Sequence, residues 1–513
     1  MPTTVTVSLG ALSIADVVAV ARYHAPVDID PQALDAIAST RQRVEELAAS
    51  DTPVYGISTG FGALASRHIP EDHRAQLQLS LVRSHAAGSG PEVEEEVIRA
   101  LMLLRLSTLC TGRTGVRPVV AQTYADVLNA GITPVVREYG SLGCSGDLAP
   151  LSHCALALLG EGQVRVNGGE IVDAAEALAA AGITPLQLRE KEGLALINGT
   201  DGMLGQLCLA ITDLSELAKE ADIATALTLE GLRGTVSVFA DDLQQLRPHP
   251  GQIDAAANIR NIVADSPILA AAASEFASTH VQDAYSVRCA PQVAGGFRDT
   301  LAHASTVAER ELAAAVDNPV VALDGRVTSN GNFHGAPVAY VLDFLAVVAA
   351  DLASISERRT DRFLDPARNR GLHPFLADDP GVDSGLMIAQ YTQAGIVSEL
   401  KRLAVPASVD SIPSSAMQED HVSLGWSAAR KLRKCVDGLR RVLAIEMMTA
   451  SRAIELRDQA PSAGTGAAIR AIRQGAKGPG PDRFLSPEIE AVMELLHSGT
   501  ILSAVQEKVG DLR

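Results

Sequence analysis

From residue 423 to residue 457 the apolar side chains keep a helical spacing over a stretch unusually long for one globular helix. At ~1.5 Å per residue, positions 423–454 alone would span roughly 45–50 Å. A helix of that length is stabilised mainly by laying its apolar stripe against other helices, so a bundle member is expected. The same period runs through residues 31–50, 75–87, 93–109, 203–232 and 336–356. The last of these is apolar almost all round and should be a central, buried helix. Only 3% of residues are aromatic, and Ala and Leu are abundant. That composition suits helices packed through small and aliphatic side chains better than a β-sandwich or barrel. Two short hairpins interrupt the pattern: residues 164–172 alternate around Asn167-Gly168, and 320–328 around Asp324-Gly325, both dipeptides suited to type I′ turns. A loop at 475–482 (GAKGPGPD) precedes a last helix near 486–509. The expected architecture is mainly α, a long-helix bundle with small β-hairpins.

Charge and composition narrow the function. The chain carries 43 basic and 61 acidic side chains, a formal charge of −18. This balance argues against a binder of nucleic-acid backbones. At 47% hydrophobic the chain can bury a large core. Residues 1–10 lack the basic and apolar regions of a signal peptide. The most apolar stretch, 336–355, is interrupted by Asp343 and Asp351, so no membrane span is expected. The six cysteines form no CxxC pair and are dispersed, which points to a reducing, cytoplasmic setting.

Polar, glycine-rich patches lie between the apolar helices, and chemistry should sit there. Taken singly, each also reads as a cap or a turn; Thr200 before 203–232 is a plausible N-cap. Gly56-Ile57-Ser58-Thr59-Gly60 fits the nucleophile elbow of hydrolases, but Pro53 spoils the strand that elbow needs, and no βα alternation surrounds it. Asn198-Gly199-Thr200 fits a glycosylation acceptor, idle in a cytoplasmic chain. No metal-binding HExxH, phosphate loop or dinucleotide fingerprint occurs. The segment Gly143-Cys144-Ser145-Gly146-Asp147 differs from the other patches. Without a side chain, Gly146 can bring its backbone nitrogen to the carbonyl carbon of Cys144 in a tight turn. Attack and loss of water would close a five-membered imidazolone. Loss of a second water from the Ser145 side chain would leave an exocyclic methylidene, an electrophile that no ordinary side chain provides. A helix beginning near Pro150 would turn its positive end toward such a ring.

The context of that tripeptide closely resembles the signature of the aromatic amino acid ammonia-lyases, whose electrophile is 4-methylidene-imidazol-5-one (MIO). GSLGCSGDLAPLSH at 140–153 carries the resemblance. So do VYGISTGFG at 54–62, KEGLALINGT at 191–200, QDAYSVRCAPQV at 282–293, ERELAAAVDNP at 309–319, GNFHG at 331–335 and PASVDSIPSSAMQEDHVSLGW at 406–426, in the same order. Ser84-His85 in LVRSHAAG and Glu419 in QEDHVS place it nearest the histidine branch of that family. The resemblance implies the fumarase/aspartase-like superfamily of helical bundles, MIO made from Cys144, Ser145 and Gly146, no metal and no external cofactor. It implies L-histidine as the small-molecule substrate, eliminated to urocanate and ammonia. Tyr55 would be the base, Arg288 the carboxylate ligand, with Asn198 and Gln282 assisting. Tyr285 would position the amine or the MIO ring, Phe333 would pack against that ring, and Asp147 would assist its formation. His85 and Glu419 would hold the imidazole. A homotetramer with active sites shared between chains is also implied, and the scatter of these positions along long helices agrees with it.

There are departures. Cys144 stands where Ala is usual, and Ser58, Asp201 and Met417 stand where many relatives carry Asn, Gln and Asn. A tyrosine or phenylalanine ammonia-lyase, or an MIO aminomutase, is the nearest alternative. An assembly protein without activity is the other, opposed by the intact set of Tyr55, Ser145, Arg288 and Glu419. The expected division is an N-terminal domain, 1–112, carrying Tyr55 and His85, and a helical bundle, 113–513, carrying the MIO segment.

Overall fold

The computed structural model describes residues 3–49, 69–276 and 281–513. Helices dominate, and six fall where the period places them: Pro31–Ala48, Arg74–His85, Glu95–Cys110, Asp201–Gly231, Ala336–Leu364 and Gly425–Glu455; Ala290–Leu312 and Met387–Leu403 lie outside the stretches read from the sequence. The chain separates into two compact units, each discontinuous in sequence. The first comprises 1–212, 305–343 and 406–430; the second comprises 213–304, 344–405 and 431–513. Neither follows the break expected between residues 112 and 113. Four of the five crossings from one unit to the other lie inside long helices, where no loop or composition shift marks a boundary.

In the first unit Glu95–Cys110 is the core element, buried from Val97 to Cys110. It packs against Ile14–Tyr23 and Pro118–Asn129. Its buried Arg99 donates to the carbonyls of Val20 (3.1 Å) and Leu128 (3.2 Å), near the C-terminal ends of those two helices. A cation is favoured there because the last carbonyls of a helix have no partners of their own. Ser13 and Asp16 close a capping box on Ile14–Tyr23. Ser89–Glu92 pairs antiparallel with Arg137–Tyr139, which delivers the chain to the segment beginning at Gly140.

The hairpins form with one difference. Asn167 and Gly168 both take positive φ, 49° and 69°, and Gly169 N–H closes the turn on Val166 O, as a type I′ turn requires. In the second hairpin, Val320–Val321 with Val327–Thr328, positive φ is confined to Gly325 within the Asp324-Gly325 pair. Gly325 N–H bonds Ala322 O, the signature of a longer turn ending in a left-handed glycine. The last helix is two: Ser486–His497 ends, Gly499 turns left-handed, and Thr500–Val509 restarts. Ala336–Leu364 is not wholly buried. Tyr340, Phe344 and Val347, on one face at helical spacing, are 44%, 48% and 45% exposed. By length and composition this helix could cross a membrane, with a mean hydropathy of 2.0 in its most apolar window, 61% of which is buried.

Candidate functional site

The tripeptide lies in the first unit, between the strand ending at Tyr139 and the helix Leu148–Leu158. Two flanking segments clamp it. On one side Gly146 forms a parallel bridge with Gly199, and Asp147 N–H donates to Gly199 O at 2.8 Å. Gly146 has φ +81°, and a Cβ there would stand 1.9 Å from Gly199 O, so only glycine fits. Gly199 is anchored by its neighbours. The fully buried Arg105 donates to the carbonyls of Ala195, Asn198 and Val316 and lies 3.3 Å from Asp201 Oδ2. Asn198 Nδ2 donates to Asn318 O at 2.8 Å. On the other side Leu424 N–H donates to Leu142 O (3.0 Å), Ser423 Oγ to Gly143 O (3.3 Å) and Trp426 Nε1 to Glu138 O (2.7 Å).

Asp147 stands at the N-cap position of Leu148–Leu158 but does not cap that helix. Its carboxylate accepts Met203 N–H (2.8 Å) and Ser141 O–H (2.9 Å). It therefore satisfies the first turn of Asp201–Gly231, the place expected for Thr200, whose hydroxyl instead donates to Glu311 (2.6 Å). Burial pushes the Asp147 carboxyl up to about 7, against the two hydrogen bonds that favour its charged form.

Cys144 and Ser145 are half-buried. Cys144 Sγ lies 3.2 Å from Ser414 Oγ, and Ser414 Oγ donates to Glu419 Oε2 at 3.1 Å. Ser414 and Glu419 are also joined by backbone hydrogen bonds across a turn in which Ser415, Ala416 and Met417 all have positive φ. Such backbone is costly for residues with a Cβ and is concentrated at functional sites. Among the described residues no cation pairs with Glu419, so the structural pairing with His421 is absent. His421 stacks on His334 at 5.4 Å, and His334 Nε2 bonds His421 O (3.2 Å). That pair ties the GNFHG loop, with half-buried Phe333, to residues 406–426.

His85 ends Arg74–His85, half-buried rather than in the core. Its Nδ1 lies 2.9 Å from Leu81 O, which assigns that nitrogen the proton and leaves Nε2 as an acceptor. The turn after it is held by Gly88 N–H donating to Nε2 of His153, from the helix that follows the tripeptide. Gln282, Tyr285 and Arg288 belong to the second unit. Gln282 and Tyr285 are exposed. Arg288 Nε donates to Asp283 O (2.9 Å), and its guanidinium lies 4.6 Å over the Tyr285 ring. Its terminal nitrogens have no ion-pair partner among the described residues, which leaves a flat fork suited to a carboxylate. Arg359, paired in the core with Glu446 (2.5 Å), also donates to Ser286 O (3.4 Å) and fixes that turn. Tyr55 lies outside the described residues. The first unit thus gathers Cys144, Ser145, Gly146, Asp147, Asn198 and Glu419 around one loop. Sequence reasoning missed Ser141, Ser414 and Arg105; the two serines stand inside the conspicuous patches, whereas Arg105 lies in an apolar helix with no motif around it.

Comparison with known proteins agrees with this geometry. Residues 12–474 match the family model described as aromatic amino acid lyase. Histidine ammonia-lyase of Streptomyces avermitilis is 63% identical over 511 residues, 99% of each chain, and that of Gloeobacter violaceus is 47% identical over 504 residues, 98% of this chain and 97% of the relative. Among solved structures, a tyrosine aminomutase from Streptomyces globisporus superposes with a TM-score of 0.94 at 38% identity, covering 100% of both chains. The histidine ammonia-lyase of Trypanosoma cruzi superposes with 0.90 at 36%, covering 99% of this chain and 96% of that one.

Proposed function

The chain belongs to the aromatic amino acid lyase family, and on that premise we propose that it is a histidine ammonia-lyase, releasing ammonia from L-histidine to give trans-urocanate in the first step of histidine degradation. The geometric observation that carries the reading is the backbone clamp on Gly146, which bridges to Gly199 and admits no Cβ. The residues fit an MIO built in place from Cys144, Ser145 and Gly146. When formed, that group supplies an electrophile that takes up the substrate amine and makes it a better leaving group.

The other steps belong to side chains. The Arg288 fork grips the substrate carboxylate, with the Tyr285 ring beneath the guanidinium holding it in place. Glu419 accepts an N–H from the imidazole; a benzene ring offers that carboxylate no donor, which disfavours phenylalanine. His85 offers Nε2 to the ring as a second polar contact. Tyr55 takes the β-proton as the Cα–Cβ double bond forms and ammonia leaves. We further propose a homotetramer with shared sites. The outward apolar face of Tyr340, Phe344 and Val347 supports burial in an assembly rather than in lipid, since Asp343 and Asp351 share that helix. Six free cysteines suit a reducing cytoplasmic setting.

The test is a panel of L-histidine, L-tyrosine and L-phenylalanine with product identification. Urocanate from histidine alone is the expected result. A β-amino acid or a coumarate from tyrosine, with histidine untouched, would favour the aminomutase or tyrosine lyase that the Streptomyces globisporus likeness keeps in view.

A further inference from the structure

Cys144 contributes its backbone to the electrophile, but its side chain is not consumed in ring closure. The thiol points to a hydroxyl that in turn points to the residue read as the ring-binding carboxylate. Sγ of Cys144 is 3.2 Å from Ser414 Oγ, and Ser414 Oγ is 3.1 Å from Glu419 Oε2. From this geometry we infer that Cys144 is a specificity-determining positioning residue, which fixes the Glu419 carboxylate through Ser414. The inference rests on the reading of Glu419 as the group that meets the imidazole.

The direction of the chain follows from donor and acceptor counting. A carboxylate only accepts, so the single Ser414 proton goes to Glu419. The Ser414 oxygen is then open as an acceptor, and the Cys144 S–H is the donor within reach. Burial pushes the thiol up; the Ser414 contact works against that rise, and the Glu419 carboxylate adds to it. An alanine at residue 144 would have no proton to give. The turn that carries Ser414 and Glu419 closes on itself through its own backbone bonds and runs through three left-handed residues. The thiol thus links its side chains directly to the tripeptide. Two side-chain hydrogen bonds between residue 144 and Glu419 are thereby added to those that tie Ser423 and Leu424 to Gly143 and Leu142.

The experiment compares Cys144→Ala, Cys144→Ser, Ser414→Ala and the Cys144→Ala/Ser414→Ala double variant as full-length protein. Intact mass is read on each, together with kcat and KM for L-histidine. Every variant should lose about 36 Da on maturation, because neither side chain enters the ring. Cys144→Ala should lower kcat/KM for histidine by about three- to tenfold, mostly through KM, with Cys144→Ser restoring it to within about twofold. Ser414→Ala should cost at least as much, and the double variant no more than Ser414→Ala alone, because a shared chain is broken once. Wild-type kinetics in Cys144→Ala, or losses that simply multiply in the double variant, overturn the inference. If the wild type deaminates a different aromatic amino acid and leaves histidine untouched, the substrate reading fails. Non-additivity measured on that other substrate would still support the link between Cys144 and Glu419.

Discussion

Asp147 shows how one residue can serve folding and chemistry together. Its carboxyl is raised to about 7 by burial, while in the unfolded chain an ordinary aspartate titrates near 3.8. The folded state therefore holds a proton that the unfolded state has lost between those two values. Stability associated with this group is full below the lower value and declines as pH rises through about 7. Asp147→Asn cannot titrate, so its thermal stability should lack that decline. The same variant should mature slowly, seen as a persistent unshortened mass. A decline of equal size in Asp147→Asn would assign the titration elsewhere. At Glu419, replacement by Gln should lower kcat/KM for histidine about tenfold or more, the worth of a charged hydrogen bond of roughly 1.5–3 kcal/mol. An unchanged ratio of histidine to phenylalanine turnover would remove Glu419 from ring recognition. At this scale the sequence was informative wherever residues cluster in polar patches. Ser414 and Arg105 were not legible as partners, because their roles depend on contacts 270 and 93 positions away along the chain.

Among the elements, helical period located six helices and passed over Ala290–Leu312 and Met387–Leu403, and it missed where packing or a single backbone torsion decides. Gly499 follows His497 and Ser498, and its left-handed φ splits the last helix. The residues around Thr200 look like an ordinary cap, but the acceptor for that helix comes from Asp147, 56 positions away. For Ala336–Leu364 the all-round apolar pattern was legible, whereas its exposed face in one chain was not. Period reports that a face avoids water without saying which chain covers it. Phe344→Glu together with Val347→Glu should leave the helix content of the chain intact while shifting it to smaller species in native mass measurements, with turnover falling in parallel. An assembly of unchanged size with those charges in place would show that this face does not join subunits.

For the whole molecule, the proposed residues divide between two compact units, with Glu419 and the tripeptide in one and Tyr285 and Arg288 in the other. The sequence pointed to a division at 112 that the contacts do not follow, because four of the crossings run through uninterrupted helices. If sites are shared between chains, two inactive variants can repair one another: Tyr55→Phe subunits mixed with Arg288→Ala subunits should regain part of the activity that neither has alone. No recovery after verified subunit exchange would place the two residues in the same chain. The central claim is that this protein makes its electrophile from Cys144, Ser145 and Gly146, and intact mass of the active protein tests it most directly. The expected mass is about 36 Da below that of the unmodified chain, with the deficit and the turnover both abolished in folded Ser145→Ala. Fully active protein at its unmodified mass would contradict it.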